Sequence, residues 1–353
     1  MRNHECTIDE INKVKERIQL EGYFASHITN DFNKPAQLLL DIFAKIFVEL
    51  GEYKPEKYDP RYLPIENHLD KIMFMIGFEP KVEAQFDFSS KTVKISLFIL
   101  SIFTSLSVFE GLIDILVNNN SMQLDAVLDL FTQKHVTEQS AAEIDKMFEK
   151  WKQYSIQLKE ENKLTMTWDL SIVNDTEHSS IVFTAIRLIF HHEMAHWHLS
   201  RFNEKTRMFY FRLAKNALLN YIQSEEMPIR NDMKGFLTEE VIACWVEEIA
   251  ADTMSLASLT NRHKHSAAWR RDVYIAIGLY YALLRTQEAY VGKGGILLSK
   301  THPPVSIREE IVLRLLAQSV NMSVSEFIAT QAGAWFVYSK CVGIALDNHR
   351  RRG

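Results

Sequence analysis

The stretch His191-His192-Glu193-Met194-Ala195-His196-Trp197-His198 contains HExxH at 192–196 and continues an apolar run, 181–190, with helical spacing. Residues four apart share a helix face, so His192 and His196 can turn one imidazole nitrogen each toward a single ion at about 2.0–2.1 Å, a donor set suited to Zn²⁺. Glu193 lies one step round the helix. It can reach a water held by the ion, rather than the ion itself, and take its proton as general base. If no metal is bound, both histidines need hydrogen-bond partners that the surrounding apolar residues do not offer, and isolated buried polar groups are costly.

Catalytic zinc commonly has three protein ligands and one open position. A Gly three residues after His196 and a His six after it would supply the third ligand from the same segment, but those positions are Leu199 and Phe202. His198, two residues on, points far round the helix. The alternative is a carboxylate from a second helical pattern, 238–260, which contains Glu247-Glu248-Ile249-Ala250-Ala251-Asp252. Glu248 and Asp252 share a face. Glu248 is the expected ligand, and Asp252 is placed to hydrogen-bond a ligand histidine from behind and set its tautomer. Glu247, about 100° away, is expected to be exposed. Cys244, one turn before Glu248, is read as core packing, because a thiolate there would close the site. A third element is Thr301-His302-Pro303-Pro304 followed by Arg308; paired prolines give a stiff, extended lead into a helix starting near Val305, which can hold His302 against a cleft or simply mark a helix start.

The rest of the chain bounds the reading. Its 353 residues are 47% hydrophobic and 24% charged, the proportions of a folded protein with one large domain or two modest ones. Forty basic against 45 acidic residues give a net charge of -5, which argues against nucleic acid as a partner. Three cysteines, Cys6, Cys244 and Cys341, without CxxC spacing suggest neither a disulfide framework nor a thiolate zinc site, and the acidic residues Glu5, Asp9 and Glu10 interrupt what would be a signal peptide. A reducing, cytoplasmic setting is expected. The uncharged segment 95–109, between Lys94 and Glu110, is fifteen residues long and includes four serines. That is shorter than the roughly 20 residues needed to span a bilayer, so a buried core segment is favoured over a membrane role.

Helical spacing marks 10–20 and 36–50, with a Tyr/Pro loop over 53–64. Strict alternation over 82–88, a Ser-Ser-Lys turn and 92–97 predict a β-hairpin. Ser140 and Glu143 have capping-box spacing, which predicts a helix over 140–161, and 164–173 is a candidate strand. Helices follow over 179–202, 238–260 and 267–290, then a glycine-rich loop at 292–295 and two C-terminal helices. The expected fold is α+β and predominantly helical, with a small β-sheet or hairpin beside the HExxH helix and a second, glutamate-bearing helix. The best candidate for a domain boundary falls near 163–178, dividing 1–163, for regulation or substrate recognition, from a zinc metallopeptidase domain over 164–353.

Together, HExxH at 192–196, ExxAD at 248–252 and THPxxxxR at 301–308 resemble the gluzincin zinc peptidases, especially the HtpX and CAAX-prenyl-protease family. The resemblance covers roughly 179–315. It implies zinc on His192, His196 and Glu248, Glu193 as base, support from Asp252 behind the ligands, and His302 and Arg308 as site-supporting residues. Membrane members of that family have several spanning helices, and this chain has no convincing one. Among soluble relatives the sequence is similar to the bacterial phage-exclusion peptidases of the Lit type, which implies a defence protease, dormant until a phage component appears, that cuts a host translation factor.

The expected activity is zinc-dependent endopeptidase action on a protein or peptide, with His302 or Tyr290 as candidate oxyanion donor. The substrate could add as a strand to the hairpin at 82–97 or to 164–173, and 292–295 is either a flap or a flexible turn. Two other readings compete: a membrane-associated processing protease, and a non-catalytic, zinc-stabilised binding protein.

Overall fold

A computed structural model describes residues 18–20, 73–77, 84–96, 99, 129, 134–156, 176–201, 204–223, 235–262, 267–291 and 299–352. The fold is α+β and predominantly helical, as the periodicity predicts. The Cα packing divides the chain into two compact units, one of Met1–Glu110 with Glu143–Phe183 and the other of Gly111–Ala142 with Thr184–Gly353.

The first unit holds the sheet. Strand β3 (Ala84–Asp87) pairs antiparallel with β4 (Thr92–Ser96), placing Phe86 opposite Val93 and Ala84 opposite Ile95. This is the predicted hairpin. Its alternation buries Phe86 and leaves Gln85 and Asp87 exposed. Asp87 organises the turn: its carboxylate accepts from the Ser89 amide at 2.8 Å and from the Ser89 and Ser90 hydroxyls at 2.6 and 2.7 Å, while Lys91 takes φ 54°. These hydrogen bonds to the ionised form, led by that of the Ser89 hydroxyl, lower the Asp87 pKa to about 2. The hairpin is only part of the sheet. Strand β2 (Met73–Gly77) lies parallel to β4, and β1 (Ile18–Leu20) parallel to β2, in the order β1-β2-β4-β3. The helix expected over 10–20 is therefore corrected at its end: 18–20 is a strand, a three-residue stretch too short to show either period. Residues 36–50, 53–64 and 164–173 lie outside the described residues, as does most of 95–109.

Helix α1 (Lys134–Ile156) begins six residues before the expected capping box, and Ser140 is buried within it. The correction has a simple cause. A Ser and a Glu three residues apart also sit together on one helical face, so the spacing is compatible with a helix interior. Helix α2 (Thr176–Arg201) carries HExxH; α3 (Glu204–Gln223) follows and was not separately anticipated. Helix α4 (Glu239–Arg262) starts where the Thr238 hydroxyl accepts from the Val241 amide at 3.3 Å, with Glu239 and Glu240 in the first turn. Next come α5 (Ala267–Val291), α6 (Val305–Ser319), the single turn α7 (Val324–Phe327), a π-helical turn (Ile328–Ala332) and α8 (Gly333–Arg352).

Helices α4, α5, α6 and α8 all contribute to the interior of the second unit. Helix α4 is buried along most of its length through Trp245, Ile249, Ala250, Ala251, Leu256 and Leu259. Helices α5 and α8 approach closely at Gly278, where an added Cβ would lie 3.0 Å from Tyr338 Cβ and 3.2 Å from the Trp335 carbonyl oxygen. Beside this contact the Tyr281 ring stacks on Trp335, with centroids 5.7 Å apart and planes 7° from parallel. The buried Glu309 of α6 binds the same assembly together, accepting from Trp335 Nε1 at 2.7 Å, from the Ser339 hydroxyl at 2.9 Å and from the Arg285 guanidinium. No single described helix is long and apolar enough to cross a membrane.

Candidate metal centre

Helix α2 is buried almost all round between Ile181 and Leu199, in the manner of an interior helix rather than an amphipathic surface one. Within that apolar sleeve His192 and Glu193 are also buried, at 7% and 8% exposure. Polar groups there need partners, and α4 supplies them.

His192 Nε2 and His196 Nε2 are 3.1 Å apart, and Glu248 closes the triangle with Oε2 3.5 Å from His192 Nε2 and Oε1 3.3 Å from His196 Nε2. Donors on a tetrahedral ion at 2.0–2.1 Å stand about 3.3–3.4 Å from one another, and the Glu248 carboxylate comes to that order of distance from the two imidazoles through different oxygens. The donor chemistry matches as well, two imidazoles and one carboxylate. Glu248 Oε2, buried and without a hydrogen-bond partner, is the oxygen such an ion would satisfy. The three residues the sequence selected thus form a group able to hold a metal ion.

Behind the triangle stands a second layer. His192 Nδ1 lies 2.8 Å from Asp252 Oδ1, an ion-pair contact outside straight hydrogen-bond alignment. Asp252, fully buried, is gripped by Arg308 of α6 through two bonds, Nε to Oδ2 at 2.9 Å and Nη2 to Oδ1 at 2.8 Å. The Arg308 fork also brings Nη1 to 3.5 Å from Glu248 Oε2, linking the ligand carboxylate and the supporting one. Tyr280 and Tyr281 of α5 complete the cage, their hydroxyls donating to Asp252 Oδ1 at 3.3 Å and Oδ2 at 3.4 Å. The motifs read from the sequence include neither tyrosine. The signal was present: two adjacent tyrosines inside an apolar helix, whose hydroxyls must find partners once buried.

Opposing effects set the protonation of these groups. Burial pushes the His192 imidazole down, but the Asp252 and Glu248 carboxylates outweigh it and raise its pKa. For His196, burial likewise acts downward, and hydrogen bonding to Glu247 and Glu248, with the charges of Glu248 and Glu193, raises it to about 10. Burial would raise Glu248 and Asp252; the two histidines and Arg308 hold Glu248 well below the usual carboxylate range, and Arg308 and His192 do the same for Asp252. Two buried carboxylates, Glu248 and Asp252, face the Arg308 guanidinium, while Glu193 and Glu247 act on His196. That surplus of negative charge in a largely buried place favours a bound cation.

The THPP element also reaches the cluster. Ser299 is tethered to α4, its carbonyl accepting from Trp245 Nε1 at 3.0 Å, and its hydroxyl accepts the amides of Thr301 and His302 at 3.2 and 3.3 Å. Thr301 Oγ1 holds His302 Nδ1 at 2.8 Å, leaving Nε2 at 3.4 Å from Glu248 Oε1 with 58% of the side chain exposed. Pro304 provides no side-chain cap for α6; the Glu288 carboxylate does so from α5 by accepting from the Val305 amide. Glu247 differs from expectation. It is half-exposed, but its Oε1 lies 3.5 Å from His196 Nδ1 rather than facing only solvent. Cys244, expected in the core, is also half-exposed. His198 is buried and stands outside the metal-binding group, as its position on the helix predicts. The residues 292–295 lie outside the described residues.

Comparison with protein-family models gives no match, and neither the curated proteins nor the solved structures provide one.

Proposed function

We propose that the protein is a zinc-dependent endopeptidase with His192, His196 and Glu248 as metal ligands. The observation that carries this reading is the His192, His196 and Glu248 cluster, able to hold a metal ion, with Glu193, a carboxylate outside that group, on the same helix as the two histidines. His192, His196 and Glu248 would hold zinc, which would supply Lewis acidity and a lowered water pKa near neutral pH.

The chain's own residues do the rest. Glu193 takes a proton from the attacking water as the new C–O bond forms, then delivers it to the leaving nitrogen as the C–N bond breaks, so that one peptide bond and one water become an acid and an amine. His302, exposed at the rim with Nδ1 held by Thr301, is the side chain best placed to donate to the oxygen of the tetrahedral intermediate. Asp252 and Arg308 keep His192 in one orientation throughout. Exposure rises from 9% and 10% of the His192 and Glu248 side chains to 14% at His196, 47% at Glu247 and 58% at His302, which supports a solvent-accessible centre over a closed structural zinc site. The substrate is a protein or peptide. A role in defence against bacteriophage, implied by the resemblance to the phage-exclusion peptidases, is tested by plating phage on cells with and without the gene.

The decisive experiment compares zinc content and peptide hydrolysis in wild type and Glu193→Gln. The amide cannot accept the proton, so the variant is expected to keep about one zinc per chain and lose roughly 10²–10⁴-fold in rate. Undiminished hydrolysis by that variant removes Glu193 from the mechanism, and a wild type that takes up no metal removes the zinc enzyme altogether.

A further inference from the structure

We propose that Glu247 is a positioning residue of the metal centre, its carboxylate holding the Nδ1 edge of His196 so that Nε2 is presented to the ion. This rests on the metal-centre reading and extends it to a residue that the HExxH, ExxAD and THPxxxxR motifs do not include.

An imidazole that binds metal through one nitrogen is held by whatever its other nitrogen touches, and such partners commonly change metal affinity by about 10–100-fold. His192 satisfies this pattern through Asp252. His196 has the same two-sided environment: Nε2 faces His192 Nε2 at 3.1 Å and Glu248 Oε1 at 3.3 Å, while Nδ1 faces Glu247 Oε1 at 3.5 Å. Glu247 cannot share the ion, because it meets the ring on the side away from the other donors. Nor is it merely a solvated surface acid, since the ion pair it makes among the described residues is the one with His196.

The consequence is an economical division of labour on α4. Glu248 points into the triangle. Asp252, one turn later, takes the back of the first histidine, and Glu247, about 100° round from Glu248, takes the back of the second. The two supports are unequal. Asp252 is fully buried and clamped by Arg308, whereas the Glu247 side chain is 47% exposed, so His196 is the more loosely held ligand and lies at the open side of the site.

The test measures zinc affinity by chelator competition on the full-length wild type, Glu247→Ala, Glu247→Gln and Glu248→Ala, together with the visible spectrum of each protein loaded with Co²⁺. Glu247→Ala should bind zinc about 10–100-fold more weakly while keeping the wild-type Co²⁺ spectrum, and Glu247→Gln, which retains an acceptor oxygen, should recover part of the loss. Glu248→Ala should change the spectrum itself. A role for Glu247 in helix stability alone would alter unfolding without ordering Ala, Gln and wild type by zinc affinity. Zinc binding by Glu247→Ala within about threefold of wild type overturns the assignment and leaves the metal centre standing. A Glu247→Ala spectrum altered in the same way as that of Glu248→Ala also overturns it, by making Glu247 a ligand. Failure of wild type to bind zinc overturns both this inference and the reading beneath it.

Discussion

Asp252 is the residue on which most of the centre's order depends. One carboxylate, itself at zero exposure, receives Arg308 through two bonds, two tyrosine hydroxyls and the back of His192, all of them buried. Removing a partner from a buried charged pair is far more harmful than never having had the pair, because the remaining charge is left without compensation. Asp252→Asn is therefore expected to lower unfolding free energy by about 3–5 kcal/mol in urea titration and to weaken zinc binding by about 10–100-fold. A fully stable variant would mean that Arg308 is compensated chiefly by Glu248, at 3.5 Å, rather than by Asp252. Residues of this kind were legible in part. Glu248 and Asp252 could be read from their four-residue spacing, but Tyr280 and Tyr281 belong to a helix that only folding brings beside α4.

Helices α5, α6 and α8 act together as the frame that aims Arg308. Successive residues of α6 face different neighbours: Arg308 turns to the metal centre, and Glu309 turns to Arg285, Trp335 and Ser339. The contact of α5 with α8 at Gly278 sets the spacing of this frame. Alanine ordinarily favours an exposed helix interior over glycine by about 1 kcal/mol, so propensity alone predicts that Gly278→Ala stabilises the protein. The 3.0 Å approach to Tyr338 Cβ and the 3.2 Å approach to a backbone oxygen leave no room for the methyl, and overpacking of this kind costs about 1–3 kcal/mol. A net loss of stability in urea titration is expected; a gain would show that α8 can move away freely. At this scale the sequence was informative about α2, α4, α5 and α6, whose apolar periods are long. It was less so for α1, where a Ser–Glu spacing imitates a helix start, and for the parallel strands β1 and β2, which depend on partners distant in sequence.

For the whole molecule, the proposed zinc site ties metal binding to stability. Without zinc, the His196 pKa of about 10 lies above the value near 6.5 of an unfolded chain, so its favourable contribution is complete below pH 6.5 and disappears as pH rises through 10. The melting temperature of the chelator-treated protein should accordingly fall between about pH 7 and 10, and that of the zinc-loaded protein should fall less, because the ion then occupies the place of the proton. Parallel curves, or a metal-free form that grows more stable with alkalinity, would contradict the charge arrangement described for the cluster. Zinc at 100 times its dissociation constant should also add about 2.7 kcal/mol to unfolding free energy relative to the chelated form.

The sequence by itself determined the helical character of the chain, the hairpin, and the candidate donors His192, His196 and Glu248 of a group able to hold a metal ion, because helical and strand periods and the i, i+4 rule are local and can be read without a partner. Tertiary structure decided what stands behind those donors. The 2.8 Å grip of Arg308 on Asp252, the hydroxyls of Tyr280 and Tyr281 and the turn of Glu247 toward His196 join elements up to 56 residues apart, and no local period encodes which helices will meet. The cause is the buried setting: in an apolar interior each charged group must be matched, and the matching partner is whichever side chain the packing of the helices delivers.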